Sequence, residues 1–139
     1  MKSDHTKADV ITRYYQELFN RGRVELLPEL LHREYVNHSP GSPGQPRGPE
    51  GVAQVVGLLR AAFPDLRYAI EDLVVGEDAV AVRTTVTGTH RGDFFGLAPT
   101  GRSFSVGQIC IERFRGERIA AHHRLTDELG MLRQLGALG

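Results

Sequence analysis

The chain has 139 residues, long enough for one domain with its own core, and no shift in composition suggests a second. Lys plus Arg number 17 and Asp plus Glu number 17, so the formal charge is zero, and the arginines are spread along the chain, which argues against a nucleic-acid partner. Behind the polar start Met1-Lys-Ser-Asp-His-Thr-Lys7 there is no apolar run for a signal peptide or a membrane span, and a single cysteine, Cys110, rules out an internal disulfide. The expectation is a soluble, cytoplasmic single domain over 1–139, with residues 1–7 disordered and no membrane partner.

Val10, Ile11, Tyr14, Tyr15, Leu18 and Phe19 recur at helical spacing and predict an amphipathic first helix ending at Asn20-Arg-Gly22, where glycine can take the left-handed cap conformation. Leu26, Leu27, Leu30 and Leu31 form a second apolar set; Pro28 fits the first turn of a short helix, predicted to run into Tyr35. Ser39 to Gly48 is too rich in proline and glycine for regular structure and reads as a loop that could cover a pocket. A third helix starts at Pro49, carries Val52, Val55, Val56, Leu59 and Phe63 on one stripe, and stops at Pro64. From Tyr68 the period becomes two, giving four sequential antiparallel strands at Tyr68 to Val75, Ala79 to Thr89, Arg102 to Phe114 and Arg118 to Thr126. The turn His90 to Gly101 between the middle pair carries Phe94 and Phe95, and an apolar helix from Leu129 to Leu135 closes the chain. Helices first and strands afterwards predict an α+β domain in which helices pack on one face of a curved sheet and enclose a pocket.

The last strand carries the titratable groups. With Gly116-Glu117 as a two-residue turn, Phe114 pairs with Ile119, Cys110 falls opposite His123, Gln108 opposite Leu125 and Val106 opposite Asp127. Gln108, Cys110, His123 and Asp127 then share a face, while His122, Arg124 and Thr126 take the other; a slip of one residue would reverse the assignment. Asp127 has two readings: a catalytic base with its carboxyl raised by an apolar pocket, or the cap of the final helix. His123 either orients Asp127 or is satisfied by backbone, and His122 reads as structural or interfacial. Tyr15 and Phe63 read as core or pocket wall, and Arg83 as a pocket charge or a solvated one. Adjacent strand histidines point apart, so no metal site is expected from His122, His123 and Asp127.

Several segments together resemble the SnoaL-like polyketide cyclase (ester cyclase) family of the nuclear-transport-factor-like superfamily. They are Tyr14-Tyr15, Phe19-Asn-Arg-Gly22, Tyr35-Val-Asn-His38, Gly48-Pro-Glu-Gly51, Leu59 to Asp65, Gly88-Thr-His-Arg-Gly92, Phe95 to Gly101, His122 to Asp127 and Leu132-Arg-Gln-Leu-Gly136. The resemblance implies a cone-shaped α+β barrel with a curved antiparallel sheet, no metal or organic cofactor, and a homodimer or homotetramer. It also implies a catalyst of intramolecular aldol ring closure on a polyketide methyl ester. The family's acid/base aspartate then matches Asp127 and its pocket amides match Asn37 and Gln108. The family's histidine on the Gln108 strand falls at Cys110, so either His123 supplies that function from across the ladder or the chemistry differs.

The chemistry asks for one group that takes a proton from a carbon between two carbonyls, and for donors to the enolate oxygen that results. The expected set is Asp127 and His123 as catalytic groups, and Asn37, Gln108, Cys110, Tyr15, Phe63 and Arg83 toward an aromatic or polyketide-like small molecule. Two rival readings remain open: a non-catalytic binding or dimerisation module of the same fold, and an epoxide-hydrolase-like or hydroxylation-related enzyme. The latter wants two carboxylates around an arginine, for which Arg83 with Asp72 or Glu112 is the available set.

Overall fold

The computed structural model describes residues 2–41 and 44–138. In chain order it comprises α1 (Lys2–Arg13), a π-helical turn (Tyr14–Phe19), a 3-10 turn (Val24–Leu26), α2 (Leu27–Leu30), β1 (Leu31–Asn37) and α3 (Pro49–Ala62). The strands β2 (Arg67–Val75), β3 (Ala79–Thr89), β4 (Ser103–Arg115) and β5 (Arg118–Thr126) follow, and α4 (Glu128–Gln134) ends the fold. One sheet runs in the order β1-β5-β4-β3-β2; it is curved and does not close on itself. The last four strands form the antiparallel meander that their period-two pattern predicts. The helices cover the open side, and Tyr15, Leu18, Leu30, Val56, Phe63, Val80 and Ile119 are fully buried between the layers.

Three local features depart from the sequence reading. Helix α1 begins at Lys2, inside the stretch whose polar composition suggests disorder through residue 7; residue 1 lies outside the described residues. Its continuation is not α-helical: from Tyr14 to Phe19 it widens into a π turn that buries Tyr14, Tyr15, Leu18 and Phe19. Such turns hold one extra residue and often lie at functional sites. Tyr35 sits in β1 rather than in a helix. That strand pairs in parallel with β5, and an irregularity between Leu31 and Val36 breaks its alternation, so no period-two signal marks it. The Ser39 to Gly48 loop is irregular as expected, with residues 42 and 43 outside the described residues.

Gly88 in β3 packs closely against Phe63, which follows α3, and Phe104 of β4. A Cβ added there would lie 2.9 Å from Phe63 Cβ and 3.0 Å from Phe104 Cε1, and neither ring can retreat, because their centroids already sit 4.9 Å apart in an edge-to-face pair. At the other end of the sheet, Asp127 starts α4: its exposed carboxylate accepts the Gly130 backbone amide at 2.9 Å. Gly130 is the residue that lets the carboxylate fold over the first turn, since a Cβ there would run into it.

Two stability measurements check this packing. Gly88→Ala is expected to lower the urea-unfolding free energy by about 1–3 kcal/mol with an unchanged slope, and an unchanged midpoint would refute the contact. Asp127→Ala should lose about 1 kcal/mol of capping, whereas Asp127→Asn, which caps as well, should stay within a few tenths.

Candidate active site

The β4–β5 hairpin decides what faces inward. Phe114 pairs with Ile119 and Arg115 with Arg118 around Gly116-Glu117, with Gly116 at φ 62°, as a two-residue turn demands. The next pair is Arg113 with Ala121, so Ala120 has no partner and forms a bulge. Every residue beyond it is displaced by one from the expected register: Glu112 pairs with His122, Ile111 with His123, Cys110 with Arg124 and Gln108 with Thr126. Because side chains alternate, His122, Arg124 and Thr126 turn inward, and the expected pair His123 and Asp127 turns outward.

The inward face lines a cavity of about 430 Å³, within the range of roughly 300–1,000 Å³ usual for small-molecule sites. Its walls are apolar and aromatic: Tyr14, Tyr15 and Phe19 from the π turn, Val52 and Leu59 from α3, Val86, Phe104 and Val106 from the sheet, and Met131 from α4. Phe94, Phe95 and Leu97 from the long β3–β4 turn stand along it, and Phe95 is half exposed with φ 48°, a left-handed conformation uncommon for an aromatic residue. Polar groups gather on the wall made by β1, β4 and β5: Asn37, Gln108, His122, Arg124 and Thr126.

The orientation of these groups follows from which atoms can donate. Asn37 Oδ1 accepts the Ser39 backbone amide at 2.8 Å, so its Nδ2 is turned away from that bond and makes no hydrogen bond among the described residues. Arg124 donates to Thr126 Oγ1 at 3.1 Å and to the Ser39 carbonyl at 2.8 Å. Thr126 therefore passes its own hydroxyl hydrogen to Gln108 Oε1 at 2.8 Å, and Gln108 Nε2 is left facing Cys110 Sγ at 3.5 Å. Tyr15 donates to the same sulfur at 3.3 Å. A directed chain thus runs from Arg124 through Thr126 and Gln108 to the thiol.

Below this chain lies a buried acid and base. Glu112 is fully buried, and both its oxygens approach His122 Nδ1, at 2.7 and 2.9 Å. Burial, first among the causes, pushes the Cys110 thiol up to about 12, and the Glu112 charge adds to it, so the sulfur is a neutral thiol and not a nucleophile. Burial likewise raises the hydroxyls of Tyr14, Tyr15 and Tyr35 well above the usual tyrosine range, with Tyr35 for Tyr14, Cys110 for Tyr15 and Glu112 for Tyr35 as the next cause. Cys110, Glu112 and His122 each present a donor atom within 4.8 Å of the others, the one metal-compatible grouping among the described residues, and in this structure those atoms are engaged in the bonds just given.

Of the expected site residues, Asn37, Gln108 and Tyr15 line the cavity, and Cys110 lies just behind it, 1% exposed, reached through Tyr15 and Gln108. Phe63 is fully buried among Phe94, Phe104 and His90, outside the cavity lining. Arg83 points to the outer face of the sheet and pairs with Asp72 at 2.6 Å, both half exposed, while Glu112 is on the inner face with His122. The carboxylate–arginine–carboxylate arrangement of the epoxide-hydrolase-like reading is therefore not assembled. His123 is exposed and stacks on His38, ring centroids 4.6 Å apart, and Asp127 caps α4. The groups the register reading missed are His122, Glu112, Arg124 and Thr126. A signal for them existed: Glu112 shares the parity of Gln108 and Cys110, and an inward glutamate needs a hydrogen-bonding partner from the neighbouring strand.

With the geometry in hand, the likenesses to known proteins are consistent along nearly the whole chain. It is 34% identical over 138 residues to the aklanonic acid methyl ester cyclase DnrD of Streptomyces peucetius, covering 94% of this chain and 91% of that protein. It is also 34% identical over 120 residues to the nogalonic acid methyl ester cyclase of Streptomyces nogalater, covering 85% and 89%. Among solved structures, TsrD from Streptomyces laurentii superposes with a TM-score of 0.86 at 32% identity, covering 96% of each chain. Residues 9–135 match the SnoaL-like polyketide cyclase family, and with relatives of this identity and coverage the chain belongs to that family.

Proposed function

We propose that the protein is a cofactor-independent ester cyclase that closes a ring in a polyketide methyl ester, or a similar carbon acid, by intramolecular aldol addition. The observation that carries this reading is the convergence of Asn37, Gln108, His122, Arg124 and Thr126 on one wall of an otherwise apolar cavity. A flat aromatic polyketide would lie between the tyrosines of the π turn and the strand walls, with its reacting carbonyls against the polar wall. Asn37 Nδ2 and the Arg124 guanidinium would meet the enolate oxygen as charge develops there, in a site where little water weakens them. The ester cyclase activities of the 34% identical relatives support the reaction class. A binding module without chemistry would need no such convergence. The acid/base step belongs to this wall rather than to His123 and Asp127, whose side chains point away from it.

The same reading includes a homodimer in the cytoplasm. Val74, Ile109, Ile111 and Leu125 are 65%, 53%, 41% and 80% exposed, and the register brings them onto two adjacent rows of the outer sheet face. An apolar sheet face of this kind is suited to a second copy of itself.

The reaction is tested by incubating the purified protein with an anthraquinone methyl ester of the aklanonic acid type and following product by chromatography and mass spectrometry. A ring-closed isomer of unchanged mass is expected, and Asn37→Ala should lower kcat by about 10²–10³-fold. Absence of turnover would refute the reading, and binding without turnover would favour the non-catalytic module. For the assembly, Leu125→Arg should convert a dimer to a monomer in analytical ultracentrifugation; a wild-type monomer would refute it.

A further inference from the structure

The geometry points to His122, held by Glu112, as the acid/base group of the ring closure. This inference rests on the cyclase reading above and goes beyond it by naming the base. Glu112 is 0% exposed and its carboxylate meets no hydrogen-bond donor among the described residues except His122 Nδ1. An ionised carboxylate can only accept, so it holds the hydrogen on Nδ1, and in the neutral imidazole the lone pair is then on Nε2. His122 lines the cavity, and its Nε2 makes no hydrogen bond among the described residues. A base is therefore presented to the cavity with its tautomer already fixed, the same logic by which a buried carboxylate sets the imidazole of a hydrolase triad.

The surroundings favour this use. The titratable groups packed around the pair are Tyr14 and Tyr15 from the π turn, Tyr35 from β1, Cys110 from β4 and Arg124 from β5. Burial keeps the three hydroxyls and the thiol neutral, so they do not compete as bases. When Nε2 gains a proton, the imidazolium faces the Glu112 carboxylate, which stabilises it. Arg124, the cation of this wall, is held toward Ser39 and Thr126.

The step balances without any co-reactant. Nε2 takes the proton from the carbon between two carbonyls, and the C–H electron pair becomes the enolate. The enolate carbon then bonds to a second carbonyl carbon, the π pair of that carbonyl moves to its oxygen, and the alkoxide takes the proton back from Nε2. His122 ends as it began, and the product is an isomer of the substrate.

His122 would touch the substrate and Glu112 would act through it as a positioning residue, and the two are separated by their readouts. With the full chain labelled with ¹⁵N-histidine, His122 is identified among the six histidines by the signal lost in His122→Gln. At neutral pH the wild type should show a protonated Nδ1 and a bare Nε2, and Glu112→Gln should lose that preference. A bare Nδ1, or both nitrogens protonated, would overturn the proposal even if no substrate were found. Where cyclase turnover is measured, His122→Gln should lower kcat by about 10²–10⁴-fold with little change in KM. Glu112→Gln should lower kcat by up to about 10⁴-fold and alter the acid limb of the pH profile. Asp127→Asn should turn over as the wild type does. Full activity in His122→Gln, or loss of activity in a folded Asp127→Asn, would place the base elsewhere. A wild type without any cyclase activity would refute the reaction class, and the tautomer measurement would still decide the pair.

Discussion

The unpaired Ala120 is the constraint on which the interior of this protein depends. A strand has only two faces, so one added residue transfers every side chain beyond it from one to the other. Without the bulge, His122 would sit on the outer face and Glu112 would be buried beside a different neighbour. A buried carboxylate without a donor is among the costlier things a fold can contain, several kcal/mol after relaxation. The bulge and the Glu112–His122 pair therefore support one another: the irregularity brings the donor to the acid, and the pair penalises any slip back to regular register.

The same division between apolar filling and directed polar contact runs through the cavity. On the helical side the walls are rings and branched chains that fix shape and exclude water, whereas on the β1–β5–β4 side almost every polar atom has its direction fixed by a partner that can only donate or only accept. Arg124 can only donate, the Ser39 amide can only donate, and the Glu112 carboxylate can only accept. These one-way groups set the orientation of the two-way groups, Thr126, Gln108 and Asn37, before any ligand arrives. Preorganisation of this kind is what electrostatic catalysis requires, because the donors do not have to turn when charge appears.

Much of this arrangement is legible in the sequence. The strands β2 to β5, the proline-started helix α3 and the two-residue turn at Gly116-Glu117 all follow from period, turn chemistry and caps. Asn37, Gln108 and Tyr15 are found by motif and parity. What escapes is each place where a single residue is added or a partner is distant in sequence. Ala120 is a small residue among small residues and carries no mark of a bulge. β1 pairs with β5, more than eighty residues on, and its alternation is broken. His123 and Asp127 are misplaced for the first reason, and Tyr35 for the second. Arg83 and Phe63 show a different limit: alternation says that a side chain leaves one face, and only the packed layers say whether that face is cavity, core or solvent.

The π turn at Tyr14–Phe19 and the bulge at Ala120 are of one kind: each is one residue more than its regular element holds. In a helix the surplus rotates the chain on either side by about 100° relative to the other. Tyr15 on the turn meets Cys110, and His122 beyond the bulge meets Glu112, so both irregularities supply groups to one cavity. Reading the strand by alternation alone slides past the bulge and assigns His123 and Asp127 to the wrong face. Positions in this fold are better matched by the direction in which they point than by their distance from a conspicuous aspartate.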